Sequence, residues 1–186
     1  MIIIDKNQVK LILILLGSSR QARTINNRLE VVLAGENASI EVVGLVLGKG
    51  DESRALEAYI THAAPNTKSN VKVRAVLRDK STFAFRGNVR IERGAKGADA
   101  YLRSDALLFD ESKMSDDSPA LEILEPEVKA GHAATIGKVD EQMLFYLMSR
   151  GLSRSRSEKL LIQGFINPLL EKLKLASKSK VKSFEF

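Results

Sequence analysis

At 186 residues, with 44% hydrophobic and 28% charged side chains, the chain suits one domain of moderate size with a small appendage. It contains no cysteine, which excludes disulfides, thiolate metal sites and a cysteine nucleophile. The net charge of +6 sits almost wholly in residues 151–186, where eight basic residues stand against three acidic ones; the body is nearly neutral, which argues against a nucleic-acid surface spread over the whole fold.

Only 5% of the residues are aromatic and none is Trp, so the core must be aliphatic. The apolar run Leu11–Leu16 is too short for a signal-peptide core or a membrane span, and a cytoplasmic protein with no membrane contact is expected.

In chain order, Val9–Leu16 predicts a strand buried on both faces. Leu29, Val31 and Leu33 alternate, as do Ile40 and Val42. Apolar and basic residues alternate strictly through Val71-Lys72-Val73-Arg74-Ala75, and Phe83, Phe85, Val89 and Ile91 fall on one face of the next segment. Period two over such lengths predicts half-buried strands. Turn signals lie at Gly35-Glu36-Asn37, Gly48–Asp51, Pro65-Asn66, Gly94–Gly97 and Ser115–Pro119. Onsets every ten to twenty residues or so indicate an all-β body. With no strict repeat in the residues, a sandwich and a β-solenoid both fit.

The chain then changes character. A short strand at Leu121–Leu124 meets a bend at Glu125-Pro126-Glu127; a strand-like piece at Val128–Ala130 leads to His132 and a loop rich in Gly, Ala and Thr. Asp140 is the expected N-cap of a helix over Glu141–Ser149 that ends at Gly151, with Val139 and Leu144 placed as a hydrophobic staple. Ser155 to Glu158 reads as a capping box opening a second helix, whose buried stripe would be Leu161, Phe165, Leu169 and Leu173. Pro168 should kink or divide it, and Ala176–Lys182 should fray. The domains expected are a β-core over 1–138, a helical domain over 139–175 and a basic tail over 176–186.

Little here points to catalysis. Gly44–Gly50 has three residues between Gly44 and Gly48 and no hydroxyl residue after Lys49; a phosphate-binding loop needs four and the hydroxyl, so this is a turn. No Ser-His-Asp order, paired-carboxylate site or metalloprotease motif occurs, and no enzyme is expected. His62 and His132 are the only histidines. Small neighbours at Gly131, Ala133 and Ala134 leave the His132 imidazole accessible, and Glu122, Glu125 and Glu127 are nearby carboxylates that could join it around a metal. The blander reading of Glu125 and Glu127 is a solvated bend. The helices read either as a cap on the β-core or as a docking face for a partner.

The run Val128-Lys129-Ala130-Gly131-His132-Ala133-Ala134-Thr135-Ile136-Gly137, followed by Asp140, Phe145-Tyr146-Leu147 and Ser149-Arg150-Gly151, resembles the SufB/SufD family. Its members carry V-x-C-x-H-G-A-T-x-G, then D, F-Y and S-R-G. Thr61-His62, Asp79-Lys80-Ser81, Phe85-Arg86-Gly87, Asp99-Ala100 and Pro119–Ile123 fit the same family in order. The match runs from about residue 55 to 170, in a chain shorter than the usual member.

This resemblance implies a right-handed parallel β-helix followed by a small helical domain, and so favours the solenoid. It implies a scaffold or accessory role in iron–sulfur cluster assembly, beside a SufC-type ABC ATPase that docks on the helices. Phe145, Tyr146, Ser149, Arg150 and Gly151 are the docking residues it suggests. Family members pair through the end of the β-helix, which places Leu121, Ile123, Val128 and Ala130 at a pairing surface with a second copy or another SufB/SufD-like subunit. The family's cysteine is Ala130 here and its glycine Ala133, so His132 alone carries over as a cluster-site ligand. A stably bound cofactor is not expected, only a transient iron–sulfur cluster. The competing expectation is a β-solenoid binding module whose basic C-terminus contacts an acidic partner or nucleic acid.

Overall fold

A computed structural model describes residues 1–17 and 24–177, the side chains of residues 25 and 172–177 excepted. Ten strands precede two helices: β1 (Ile2–Ile4), β2 (Val9–Leu16), β3 (Thr24–Leu33), β4 (Ser39–Gly48), β5 (Ser53–His62), β6 (Lys68–Leu77), β7 (Thr82–Ile91), β8 (Asp99–Leu108), β9 (Lys113–Ile123), β10 (Lys129–Lys138), α1 (Glu141–Ser149) and α2 (Arg154–Ser177). Odd strands form one sheet, in the order β1-β3-β5-β7-β9; even strands form the other, in the order β10-β8-β6-β4-β2. Every pairing is parallel, between residues 29 to 32 apart. Successive strands therefore cross from sheet to sheet, and the chain winds as a parallel β-solenoid of two strands per turn.

A structural repeat does exist, and it lies in the corners. Asn7, Asn37, Asn66 and Gly97 all take positive φ, between 56° and 74°, at successive copies of one corner; Gly50, Asp79 and Asp110 do so at the other. Asn and Asp tolerate this left-handed conformation better than other side chains, and Gly takes it freely. The corners also bond to one another. The Asn37 side-chain amide donates to Asn7 Oδ1 at 3.1 Å. Gly50 N–H donates to Asp79 Oδ2 at 2.7 Å, and Asp79 N–H to Asp110 Oδ2 at 3.0 Å. At Gly97 a Cβ would lie 2.5 Å from Asn66 Oδ1, so glycine there answers both to the dihedral and to the stack below.

Between the sheets lies one aliphatic core whose residues stack in columns. Ile12, Val42, Val71, Leu102 and His132 are successive partners in one column; Leu29, Ala58, Gly87 and Pro119 form another. Phe83, Phe85, Val89 and Ile91 are all fully buried, as their alternation predicts.

Several local expectations are corrected. The outer face of β2 is not covered by the described residues: Leu13 and Leu15 are 41% and 46% exposed, because the buried contacts of α2 fall on Val43, Leu45, Val76 and Phe109 instead. The turn expected at Ser115–Pro119 lies inside β9. The loop expected at 131–137 is strand β10, held in register with β8 from Lys129↔Asp99 to Lys138↔Leu108. Parallel backbone pairing overrides the weak strand preference of Gly and Ala.

The first helix matches its reading: Asp140 accepts from Gln142 N–H at 2.8 Å, and Gly151 has φ +91°. The second opens two residues early. Ser153 Oγ, not Ser155, accepts a first-turn amide, from Arg156 at 3.3 Å, which frees Glu158 for other work. Of the expected stripe Leu169 is buried, but Leu161 and Phe165 are only half-buried and their neighbours Ile162 and Ile166 take the buried positions; the Leu173 side chain lies outside the described residues. Pro168 is exposed and does not divide α2, which continues to Ser177; the rest of the expected tail, 178–186, lies outside the described residues.

The helices do not cap the solenoid end. α2 packs across the outer face of the even sheet, with Ile162 and Ile166 against Leu45, Val76 and Phe109, and Leu169 against Val43. Polar contacts set its angle. Glu158, 8% exposed, accepts from Arg78 Nη2 at 2.5 Å and from Arg154 Nε at 3.0 Å. Arg74 lies over the Phe165 ring and bonds its carbonyl.

Candidate functional site at the last rung

β9 and β10 each pair on one side only, so the last rung leaves two free edges and an open core. Around that mouth lie the residues expected there. Leu121, Val128 and Ala130 are partly buried against the core, and Ile123 is 45% exposed. His132 is exposed and stands in the core-facing column directly above the fully buried Leu102.

The glutamates considered beside His132 are not brought to it. Glu122 points outward and is held by Arg90 Nη1 at 3.0 Å. Glu125 accepts from Gly94 N–H at 3.0 Å, and Glu127 is paired with Lys96 at 2.7 Å. The solvated-bend reading of Glu125 and Glu127 is the correct one, and strand parity puts Glu122 on the outer face of β9.

The carboxylate that does face the core is Asp117, which sequence reading missed. β9 contains a bulge: Phe83 pairs with Met114 but Ala84 pairs with Asp116, leaving Ser115 unpaired. One extra residue reverses the side-chain parity beyond it. Asp116 consequently meets Arg86 on the outside at 2.6 Å, while Asp117 falls opposite Phe85 in a core column. Both Asp117 oxygens and the Ser104 hydroxyl are shielded from solvent, and the Ser104 hydroxyl is the hydrogen-bonding neighbour of the carboxyl. Burial pushes the Asp117 carboxyl above its ordinary range against the pull of Ser104, with Asp116 and Asp105 adding repulsion. The aspartate doublet in a run otherwise read as a turn was the only sequence signal.

His62 has the opposite surroundings. It is fully buried, with Nδ1 2.8 Å from Thr67 Oγ1 and Nε2 2.8 Å from Ser69 Oγ. Burial lowers its pKa to about 4. It is a satisfied core histidine. Among the described residues, no three His, Asp or Glu side chains are grouped so that one chain could hold a metal ion.

The proposed docking residues gather on and just beyond α1. Leu144 is buried, while Phe145 and Tyr146 are 73% and 53% exposed, with Met143 and Met148 beside them. Arg150 lies over the Tyr146 ring at 5.3 Å, and Ser149 Oγ donates to the Tyr146 carbonyl at 2.8 Å. Gly151 ends the helix. Among the described residues no helix is long and apolar enough to cross a membrane.

Residues 6–165 match the family model described as SUF system FeS cluster assembly, SufBD core domain. The chain is 38% identical over 143 residues to an iron–sulfur cluster assembly SufBD family protein of Mycobacterium tuberculosis, covering 77% of this chain and 17% of that protein. It is 33% identical to the iron–sulfur cluster assembly protein SufD of Bacillus subtilis, over 80% of this chain and 34% of the relative, and 36% identical to SufB of the same organism, over 76% and 30%. The chain thus spans about a third or less of these relatives' lengths. With a core-domain match over residues 6–165, the chain belongs to the SufBD family.

Proposed function

We propose that this chain is a scaffold or accessory subunit of iron–sulfur cluster assembly that works in the cytoplasm by pairing at its last rung, without catalysing a reaction of its own. The observation that carries this is the placement of His132 in the core-facing column of a rung whose edges are both free. Unpaired edges beside an open apolar core favour a second solenoid end as partner, and a twofold contact is the economical arrangement. Two such mouths would bring two imidazoles together. The nascent cluster is cargo at that surface; with no thiolate in the chain, its retention is weak.

A SufC-type ABC ATPase docks on α1 in this reading. Phe145 and Tyr146 form an exposed aromatic pair on a helix whose opposite side is anchored by Leu144. Aromatic side chains so presented are the usual anchors of a protein interface.

Anaerobic iron and sulfide should give the wild type a labile chromophore that chelators remove, and His132→Ala should abolish it. Equal uptake by the variant overturns the ligand role. Tyr146→Ala with Arg150→Ala should weaken co-purification with a SufC-type ATPase while the β-core stays folded; unchanged recovery excludes this docking face. Sedimentation at high micromolar concentration should show pairs, and a strict monomer excludes last-rung pairing.

A further inference from the structure

We infer that the outer face of β2 is a docking site for residues 178–186 of the same chain. The contact is independent of pairing at the last rung. Val9, Leu11, Leu13 and Leu15 all point outward from β2 and are 78%, 36%, 41% and 46% exposed. A parallel strand that is apolar on both faces is normally covered on both. The outer face of the odd sheet shows the contrast: there Arg28, Glu57, Arg86 and Asp116 stand in a row joined by ion pairs, as suits a solvated surface. β2 is also a free edge whose one charged residue is Lys10, so it carries little of the protection that exposed edges usually have.

The path of α2 indicates the occupant. Glu158 meets Arg78 just past the end of β6, Phe165 meets Arg74, and Leu169 rests on Val43 of β4. The helix therefore runs against the strand direction and drifts one strand toward β2, where Leu13 is the partner of Val43. From Leu169 it continues to Ser177, roughly 12 Å farther at the rise of an α-helix. The residues that follow, 178–186, can reach up to about 30 Å when extended. The stripe from Val9 to Leu15 is about 20 Å long, so all of it is within reach.

The chemistry of the two sides also fits. Lys178, Lys180 and Lys182 come first in the segment, and Val181, Phe184 and Phe186 supply apolar groups. Glu41 is half-buried beside Leu11, near the start of the stripe, and enters no ion pair among the described residues. A segment laid from strand start to strand end sets its lysines by Glu41 and its phenylalanines by Leu13 and Leu15. Area argues against a second copy on this face: a strip about 5 Å wide and 20 Å long is far below the roughly 800 Å2 that each partner gives to a stable interface. A tethered segment needs less, because the tether keeps its effective concentration high.

Because the chain has no cysteine, introduced pairs report contacts without interference. In the full chain, Leu13→Cys with Phe184→Cys, oxidised with diamide at low protein concentration, should close a disulfide within one chain about tenfold faster than Ala84→Cys with Phe184→Cys. Ala84 lies on the outer face of the odd sheet and serves as the control. Melting curves establish that the variants fold; where Leu13→Cys does not, Leu15→Cys takes its place. Phe184→Ala with Phe186→Ala should raise the fluorescence of 1-anilinonaphthalene-8-sulfonate several-fold and quicken hydrogen exchange in β2 while leaving β6 unchanged. Equal oxidation rates in the two cysteine pairs overturn the contact. Disulfides that form only between chains assign the face to a second copy and overturn it as well. Dye binding and exchange unchanged in the double phenylalanine variant show that the segment does not cover β2, and reject the inference.

Discussion

Leu102 and His132 are neighbours in one column, a single rung apart, and their surroundings differ completely. Leu102 has a rung on either side and is fully buried; His132 has a rung below it and open space beyond. The strands are of the same kind and equally well registered. What differs is closure. In the middle rungs each core side chain is packed on every side, so shape decides what is tolerated. A polar core residue there must be satisfied within the stack, as His62 is by Thr67 and Ser69, whereas His132 on the last rung is left exposed. The interior is a stack that supports itself, and its end is left open.

The largest effect that tests this contrast should come from truncating both neighbours. Leu102→Ala should cost about 2–5 kcal/mol in denaturant unfolding, the range for a buried leucine whose site cannot collapse. His132→Ala should stay within about 0.5 kcal/mol of wild type, as for an exposed position. Similar losses in both would show that the last rung is as closed as the middle.

The pH dependence of stability comes next. His62 has a folded pKa of about 4 against an unfolded value near 6.5. Between these values the unfolded chain binds the extra proton, so stability is complete above pH 6.5 and falls as the pH drops toward 4. The loss is roughly 3 kcal/mol at the lower end. Urea midpoints from pH 7.5 to 4 in His132→Ala should keep this slope, and His62→Asn should flatten it.

A smaller effect is expected where α2 meets the sheet. Glu158→Gln weakens the contacts to Arg78 and Arg154, both partly solvent-screened, and should cost about 1 kcal/mol. Hydrogen exchange should quicken in α2 before it does in β6.

The smallest change is also of opposite sign. Asp117→Asn should stabilise the chain by up to about 1 kcal/mol, since burial disfavours the charged carboxylate even with Ser104 beside it, and the amide keeps its shape without the charge. A clear drop in melting temperature would mean that the carboxylate holds the last rung together.

How much of this was legible depended on the range of the interaction involved. The alternation in Val71–Ala75 and Phe83–Ile91 identified the core faces, because period-two burial is a local property of a strand. Asp140 and Gly151 marked the ends of α1 through equally local backbone demands. The solenoid was reached through family motifs, although Asn7, Asn37, Asn66 and Gly97 carried its spacing in the corners all along. That repeat is sparse: one conformationally constrained residue per corner, set among apolar residues that exchange freely.

The sequence by itself therefore determined the strand faces, the helix boundaries of α1, the absence of thiolate chemistry and the position of His132 within a family motif. Tertiary structure alone decided that residues 131–137 are strand, that Glu122, Glu125 and Glu127 are occupied elsewhere, and that Asp117 faces the core. Each of these depends on a partner some thirty residues or more away. Asp117 depends most of all, since the parity of β9 is fixed by which residue is left out of register against Phe83 and Ala84, and no property of Ser115 alone announces that choice.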